Sequence, residues 1–487
     1  MKKYLNLLCL SFALANSAHA KPANAGNSAE KLNVLWIYIE DMNPSIGCYG
    51  DDTVATPNMD ALAKDAVLFE RSFVPAGVCS PTRSAIITGK MQTTIGAHNH
   101  NSAYNKDTPI LLPPYLRGNT LPELFRKAGY NTFNSGKTHY NFTHDHRKLY
   151  TDLMNDKISP WKSLQDKKKP FFGQIQLPGG KEVFGGLKKL SDSEKVDPVL
   201  AGKTLPPYYP KDELILKHWA MHYDSINLTD QRVGKIMTAL KVDGLLEKTV
   251  VFLFSDHGCY LPRHKQFCYE GSLRVPLIIR APKSTKTGTD IRRKDLVSAL
   301  DVSATSLSFA GIEIPDWYDS RDLFDKDYKR DFVIAAKDRM DFTIDRVRSV
   351  RTKDDWKYIR NYYPERPYMQ LNYRHGRDYM NRFTQMFKDG EMTKDQARFF
   401  AKHRPEEELY NLAKDPFELN NLATVPARQT KLKELRTILN DWVKKTDDKG
   451  QYPEDEPNLR FTYNIWGDAK CINPEYDKFR SEKKSQK

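Results

Sequence analysis

The chain carries several short, nearly unbroken apolar runs separated by stretches with helical spacing. Asn33-Val-Leu-Trp-Ile-Tyr-Ile39 is too continuous for a strand with one wet face, so it predicts a strand buried on both. Thr249-Val-Val-Phe-Leu-Phe254 and the run from Val275 to Ile279 share that texture, and Tyr130 to Ser135 and Phe171 to Gln176 predict two more strands. Between them, Thr56-Pro57 opens a helix predicted to run through Phe69, with Pro at the first position, where its missing N–H costs nothing. Thr120-Leu-Pro-Glu123 is a capping box leading into Leu124, Phe125 and Ala128, with Gly129 as the stop. Asp212 to Leu240 places Ile215, Trp219, Ile226, Val233 and Ile236 on one helical face, and Leu296 to Phe309 also predicts a helix. Alternating strands and helices predict an α/β fold: a mostly parallel sheet sandwiched by helices, with its ligand site beyond the carboxyl ends of the strands.

After about residue 335 the texture changes. Basic and aromatic residues dominate from Arg346 to Arg366, Trp356-Lys-Tyr-Ile359 reads as a short strand, and Leu432 to Val443 as an amphipathic helix. These features predict a domain over 21–335 and a smaller C-terminal α+β subdomain over 336–487, with a disordered charged tail after Asp477. Lys181 to Pro210, rich in Gly, Lys and Pro, reads as a long surface loop of the kind that often carries function.

Charge and the first residues narrow the setting. Lys and Arg number 76 against 62 Asp and Glu, a net charge of +14 that suits an anionic partner. Lys2 and Lys3, the apolar stretch from Leu5 to Ala15 and Ala18-His19-Ala20 make residues 1–20 a secretory signal peptide, too short in its apolar part to span a bilayer. A periplasmic or secreted protein without membrane insertion is therefore expected, and export argues against a nucleic-acid partner. Without the leader five cysteines remain, Cys48, Cys79, Cys259, Cys268 and Cys471; Cys259 and Cys268 are the natural candidates for a disulfide, and the odd count flags one special thiol.

Two strand ends carry acids: Glu40-Asp41 after the first strand, and Ser255-Asp256-His257-Gly258 after the run at 249–254. Either pair alone could cap a turn. Buried together they would be costly unless a divalent cation satisfied both, and oxygen-rich ligation favours Ca²⁺ or Mg²⁺ over zinc. A third element is Cys79-Ser-Pro-Thr-Arg83-Ser-Ala-Ile-Ile-Thr88-Gly89, where Cys79 sits at a predicted helix N-terminus, a place that favours an anion or an activated nucleophile.

That string resembles the C-x-P-x-R-x-x-x-x-T-G signature of type I sulfatases, in the alkaline phosphatase superfamily. Gly136-Lys137-Thr138-His139 resembles the family's G-K-x-H segment, and Glu408-Leu-Tyr-Asn-Leu412 with Asp415-Pro416 and Asn421-Leu422 its closing signature. The stretch from Glu40 to His100 and Leu261-Pro-Arg-His-Lys265 look closest to heparan N-sulfatase-like and bacterial polysaccharide sulfatases. The resemblance implies hydrolysis of sulfate esters or sulfamates on a sulfated oligo- or polysaccharide. It also implies that a maturation enzyme converts Cys79 to Cα-formylglycine, and one Ca²⁺ held by Glu40, Asp41, Asp256, His257 and residue 79.

In that scheme one hydroxyl of the hydrated aldehyde attacks sulfur, with Asp256 accepting its proton. His139 deprotonates the second hydroxyl to expel sulfate, Arg83 holds residue 79, and Lys137 and Lys265 offset the developing charge. Relatives often carry a further histidine after a P-F-F strand; here Pro170-Phe-Phe172 is followed by Leu177-Pro-Gly-Gly-Lys181 without one. Lys265 is then the first candidate for the leaving-group acid and Lys181 the second, with His98, His100 and His264 also open. His98, His100 and Lys181 are also weaker candidates for substrate contact, as are Arg339, Asp341 and Arg360 for sugar recognition. The competing expectation is a phosphatase or phosphodiesterase of the same superfamily, which would usually place Ser or Thr at position 79 and bind two zinc ions with more histidines than these pairs offer.

Overall fold

The computed structural model describes residues 31–102, 105–285 and 287–485, so the leader expected over residues 1–20 lies outside the described residues. Nine strands form the main sheet: β1 Asn33–Ile39, β2 Val67–Phe73, β3 Asn131–Ser135, β4 Asp152–Met154, β5 Phe171–Leu177, β6 Thr249–Ser255, β7 Arg274–Val275, β8 Leu277–Arg280 and β9 Ile291–Ser298. Their order is β4-β3-β5-β1-β6-β8-β2-β7, with β9 beside β2. The segment β4-β3-β5-β1-β6 is parallel throughout; β8 and β7 run antiparallel to their neighbours. Every residue of β1, β5 and β6 is buried, as their unbroken apolar runs require of strands covered on both faces.

A second sheet is antiparallel, in the order of β10 Phe332–Lys337, β11 Val347–Thr352, β12 Trp356–Asn361 and β13 Glu407–Asn411. The Gln429–Thr446 helix packs on it through Leu432, Leu435 and Leu439. Residues Leu32–Lys487 form one compact unit. Among the described residues no helix is long and apolar enough to cross a membrane.

Several boundaries differ from the sequence reading. The helix opened by Pro57 ends at Lys64, and Val67 to Phe73 becomes β2, because β-branched and aromatic side chains there pair between β8 and β9. Leu296 to Ser298 finish β9; the helix starts only at Val302 after a 3₁₀ turn capped by Ser298. Pro276, which has no N–H to give a ladder, divides the Val275 to Ile279 run into β7 and β8.

The stretch from Lys181 to Pro210 is ordered into 3₁₀ turns and the short Pro198–Ala201 helix. The tail expected to be disordered forms the Asp477–Ser485 helix, pinned by Phe479 against Tyr463 and Tyr476. Cys259 and Cys268 are both free and buried, so the expected disulfide does not form; Cys259 Sγ lies instead 3.1 Å from His264 Nδ1.

Candidate active site

The register of the central strands builds the site. Ile39 pairs with Leu177 of β5 on one side and Ser255 of β6 on the other, so three strand ends stop level. Glu40-Asp41, Gly179-Gly180 and Asp256-His257 are thereby brought together at the carboxyl edge. Asp256 N–H donates to Ile39 O at 3.0 Å, Met42 N–H to His257 O at 3.0 Å and Gly180 N–H to Glu40 O at 2.8 Å. A Cβ at Gly179 would stand 2.0 Å from Glu40 O and one at Gly180 2.3 Å from Asp41 O, so only glycines let this turn close on the acids. Asp41 itself takes a left-handed backbone with φ 53°, and the two adjacent acids find different partners.

Cys79 opens the Cys79–Thr88 helix, every residue of which is buried. The helix tolerates this because its hydroxyls bond locally: Thr82 to Ala76 O, Ser84 to Ser80 O and Thr88 to Ser84 O. Cys79 Sγ lies 3.3 Å from His257 Nε2. One ligand atom each of Asp41, Cys79, Asp256 and His257 falls within 4.8 Å of all the others, in full burial. Oxygens about 2.4 Å from a shared Ca²⁺ must lie within about 4.8 Å of one another, so the donor set fits such an ion. Burial alone would raise the Cys79 thiol, but Lys137, Lys265, Lys181 and His257 outweigh it and hold the thiol well below its usual range.

Cations enclose this cluster. Arg83 Nε donates to Asp256 Oδ2 at 3.0 Å, its Nη1 to Gln176 Oε1 at 2.6 Å, and its guanidinium lies 4.2 Å over the Tyr38 ring. Lys265 Nζ bonds both oxygens of Asp41, at 3.0 and 2.9 Å. Glu40, expected as a metal ligand, is instead ion-paired with Lys137 at 2.8 Å and with Lys181. Burial raises the Glu40 carboxyl, but Arg83, Lys137 and Lys181 prevail and bring it down to about 2.

A second group also meets Cys79. His100, His139 and Cys79 also bring one ligand atom each within 4.8 Å. Asn101 Oδ1 meets His139 Nε2 at 2.7 Å, and Asp341 Oδ1 lies 3.2 Å from His100 Nδ1. Burial dominates at His139 and pulls it down to about 4; at His100 burial also opposes the charge, but Asp341 overrides it and the pKa ends above the ordinary value. Arg339 forks onto Glu454 and bonds the backbone of His100 and Asp341, and with Asn101 and Asp341 it lines a cavity of about 250 Å³.

Three sequence candidates fall elsewhere. Arg360 is paired with Glu406 and Glu407 on the second sheet. His98 lies among Asp338, Arg348 and Asp448. His264 is bound by Tyr208, Cys259 and Asn43, and its burial brings it down to about 3. Asn101, Gln176, Tyr38 and Glu454 are contacts that sequence reasoning missed. Gln176 alone left a signal, a polar residue near the end of a strand buried on both faces.

The sulfatase family model matches residues 32–312, more than half of the chain and all of the main sheet. The chain belongs to the sulfatase family. A model described as the C-terminal part of N-sulphoglucosamine sulphohydrolase matches residues 256–394 of this sulfatase. It is 34% identical over 471 residues to an ulvan-active sulfatase of Formosa agariphila, covering 88% of this chain and 77% of the relative. It is 25% identical over 475 residues to human N-sulphoglucosamine sulphohydrolase, covering 86% and 91%. Among solved structures, one in complex with its substrate D-glucosamine-2-N,6-O-disulfate matches with TM-score 0.60 at 19% identity, covering 88% and 99%. The phosphonate monoester hydrolase of Agrobacterium radiobacter matches with TM-score 0.61 at 19% identity, covering 85% and 96%, so the fold is shared across ester chemistries.

Proposed function

We propose that this sulfatase is exported by the leader over residues 1–20 and removes sulfate from esters or sulfamates of a sulfated oligo- or polysaccharide. It does so with a formylglycine matured from Cys79 and one Ca²⁺. The observation that carries this reading is the convergence of Asp41, Asp256 and His257 on Cys79 within 4.8 Å, all buried. The glycan is supported by the basic composition and by relatives named for ulvan and N-sulphoglucosamine.

Ca²⁺, held by Asp41, Asp256, His257 and the side chain at 79, supplies positive charge against the sulfate oxygens when bound. Arg83 fixes Asp256, and through it the acceptor for a proton leaving residue 79. His139, held neutral by burial, takes the second proton from that side chain. Lys137 and Lys181, anchored on Glu40, offset charge on the sulfate. Lys265 does the same and is a poor acid, because both Asp41 oxygens hold its proton. His100, close to Cys79 and with its pKa raised by Asp341 against the effect of burial, is the better donor to the departing sugar oxygen or nitrogen.

The test is to produce the protein with a formylglycine-generating maturation enzyme, weigh the peptide containing Cys79, and measure sulfate release from a panel of sulfated oligosaccharides. A peptide lighter by the difference between CH₂SH and CHO, with sulfate released, is expected. Converted protein that releases sulfate from none of the panel overturns the reading.

A further inference from the structure

A cleft of about 810 Å³ opens from the site along the carboxyl ends of β3 and β4. Its walls include Lys137 and His139 of the reaction centre and continue to Lys106, His144, His146 and Asn155. Among the described residues no carboxylate lines it, so its fixed charge is wholly positive. Lys106 is exposed and makes no ion pair among the described residues, unlike Lys137, which Glu40 already holds. His144 and His146 stand edge to face with ring centroids 4.5 Å apart. His144 spends Nδ1 on Phe142 O at 2.9 Å, which leaves its Nε2 without a partner; His146 Nδ1 also has none, although both atoms are shielded from solvent. Shielded ring nitrogens with no partner, in the same cleft as a lysine that makes no ion pair, are unfavourable unless something polar docks there.

We propose that this cleft is a second anion subsite, which binds the sugar next to the scissile one through an oxyanion that is not cleaved. The inference rests on the glycan reading above. Lys106 supplies the charge, His146 donates to the oxyanion, and His144, whose Nδ1–H is spent on Phe142 O, accepts at Nε2 from a hydroxyl flanking it. A uronate carboxylate and a second sulfate offer the same chemistry. The cleft would thus select polyanionic chains over isolated sulfate esters and lend binding energy remote from sulfur. His144 and His146 are specificity-determining groups in this assignment, not catalytic ones.

The test is the triple variant Lys106→Gln, His144→Gln, His146→Gln. Its substrates are 4-nitrophenyl sulfate, a sulfated uronate-bearing tetrasaccharide, and the same tetrasaccharide after carboxyl reduction or after removal of its second sulfate. The expected result is a KM for the intact tetrasaccharide raised about tenfold, about what the loss of one or two charge-assisted hydrogen bonds gives. Turnover of 4-nitrophenyl sulfate and the thermal midpoint stay unchanged. One of the two neutralised tetrasaccharides should erase the difference between variant and wild type, and which one does so identifies the oxyanion. An unchanged KM, an equal loss on both substrate classes, or a penalty that survives both neutralisations overturns the subsite. Calorimetric titration of the intact tetrasaccharide into Cys79→Ser protein, with and without the triple substitution, reads the subsite even if no sulfate is ever released, so its failure is separable from that of the sulfatase chemistry.

Discussion

Arg83 Nε lies 3.0 Å from Asp256 Oδ2, with both side chains almost wholly out of solvent. The other Asp256 oxygen accepts the Asp41 amide at 3.1 Å, so one carboxylate ties the Cys79 helix to both acidic strand ends. In the calcium-free protein, removing the guanidinium leaves the buried Asp256 charge without its cationic partner. Arg83→Leu should lower unfolding free energy by about 3–5 kcal/mol and abolish turnover. Urea unfolding and sulfate release check this; an Arg83→Leu protein with the wild-type midpoint contradicts the pairing.

The glycine pair makes a second expectation. Gly180→Ala places a Cβ 2.3 Å from Asp41 O, where backbone has to give way. A cost of about 1–3 kcal/mol is expected. The strand end that carries Asp41 should shift with it, so calcium affinity should fall more than overall stability does. Equilibrium titration with Ca²⁺ beside urea unfolding separates the two effects, and a variant with unaltered affinity rules out close packing as the device that aims Asp41.

Calcium should stabilise the fold by mass action. Ligand at a hundred times its Kd adds about 2.7 kcal/mol when only the folded chain binds it. Thermal unfolding of wild-type protein should therefore move upward with Ca²⁺ and return after chelation. Asp41→Asn should abolish the response; a midpoint indifferent to Ca²⁺ in the wild type speaks against a site at Asp41, Asp256 and His257.

Acid sensitivity should come partly from buried neutral histidines. Burial brings His222 down to about 4 in the folded chain, against an ordinary value near 6.5. As pH falls from about 6.5 toward 4, the unfolded chain takes the proton first, so His222 contributes stability at neutral pH that drains away through that window. His222→Phe should flatten the fall in unfolding free energy by at most about 1.4 kcal/mol per pH unit, one proton's worth. Urea unfolding at intervals between pH 7 and 4 checks it; an unchanged slope shows that His222 is not buried neutral.

The strands were legible wherever burial on both faces left an unbroken apolar run, as at Asn33–Ile39 and Thr249–Ser255. They were misread where a strand has a mixed composition, as at Val67–Phe73, whose identity comes from its partners β8 and β9. The local string around Cys79 and the acids at two strand ends likewise announced their chemistry, because motif spacing along the chain survives in sequence.

Residue order thus carries the α/β class, the sulfatase motif and the residue types gathered at the carboxyl edge. Which of those residues meet depends on packing in three dimensions. Adjacent acids parted company there, Asp41 joining Cys79 and Asp256 while Glu40 took two lysines, because the left-handed turn at Asp41 and the Gly179-Gly180 contact are properties of packed backbone. Asn101, Gln176 and Glu454 entered for the same reason: a hydrogen bond across the fold depends on distance in space, which residue order does not encode.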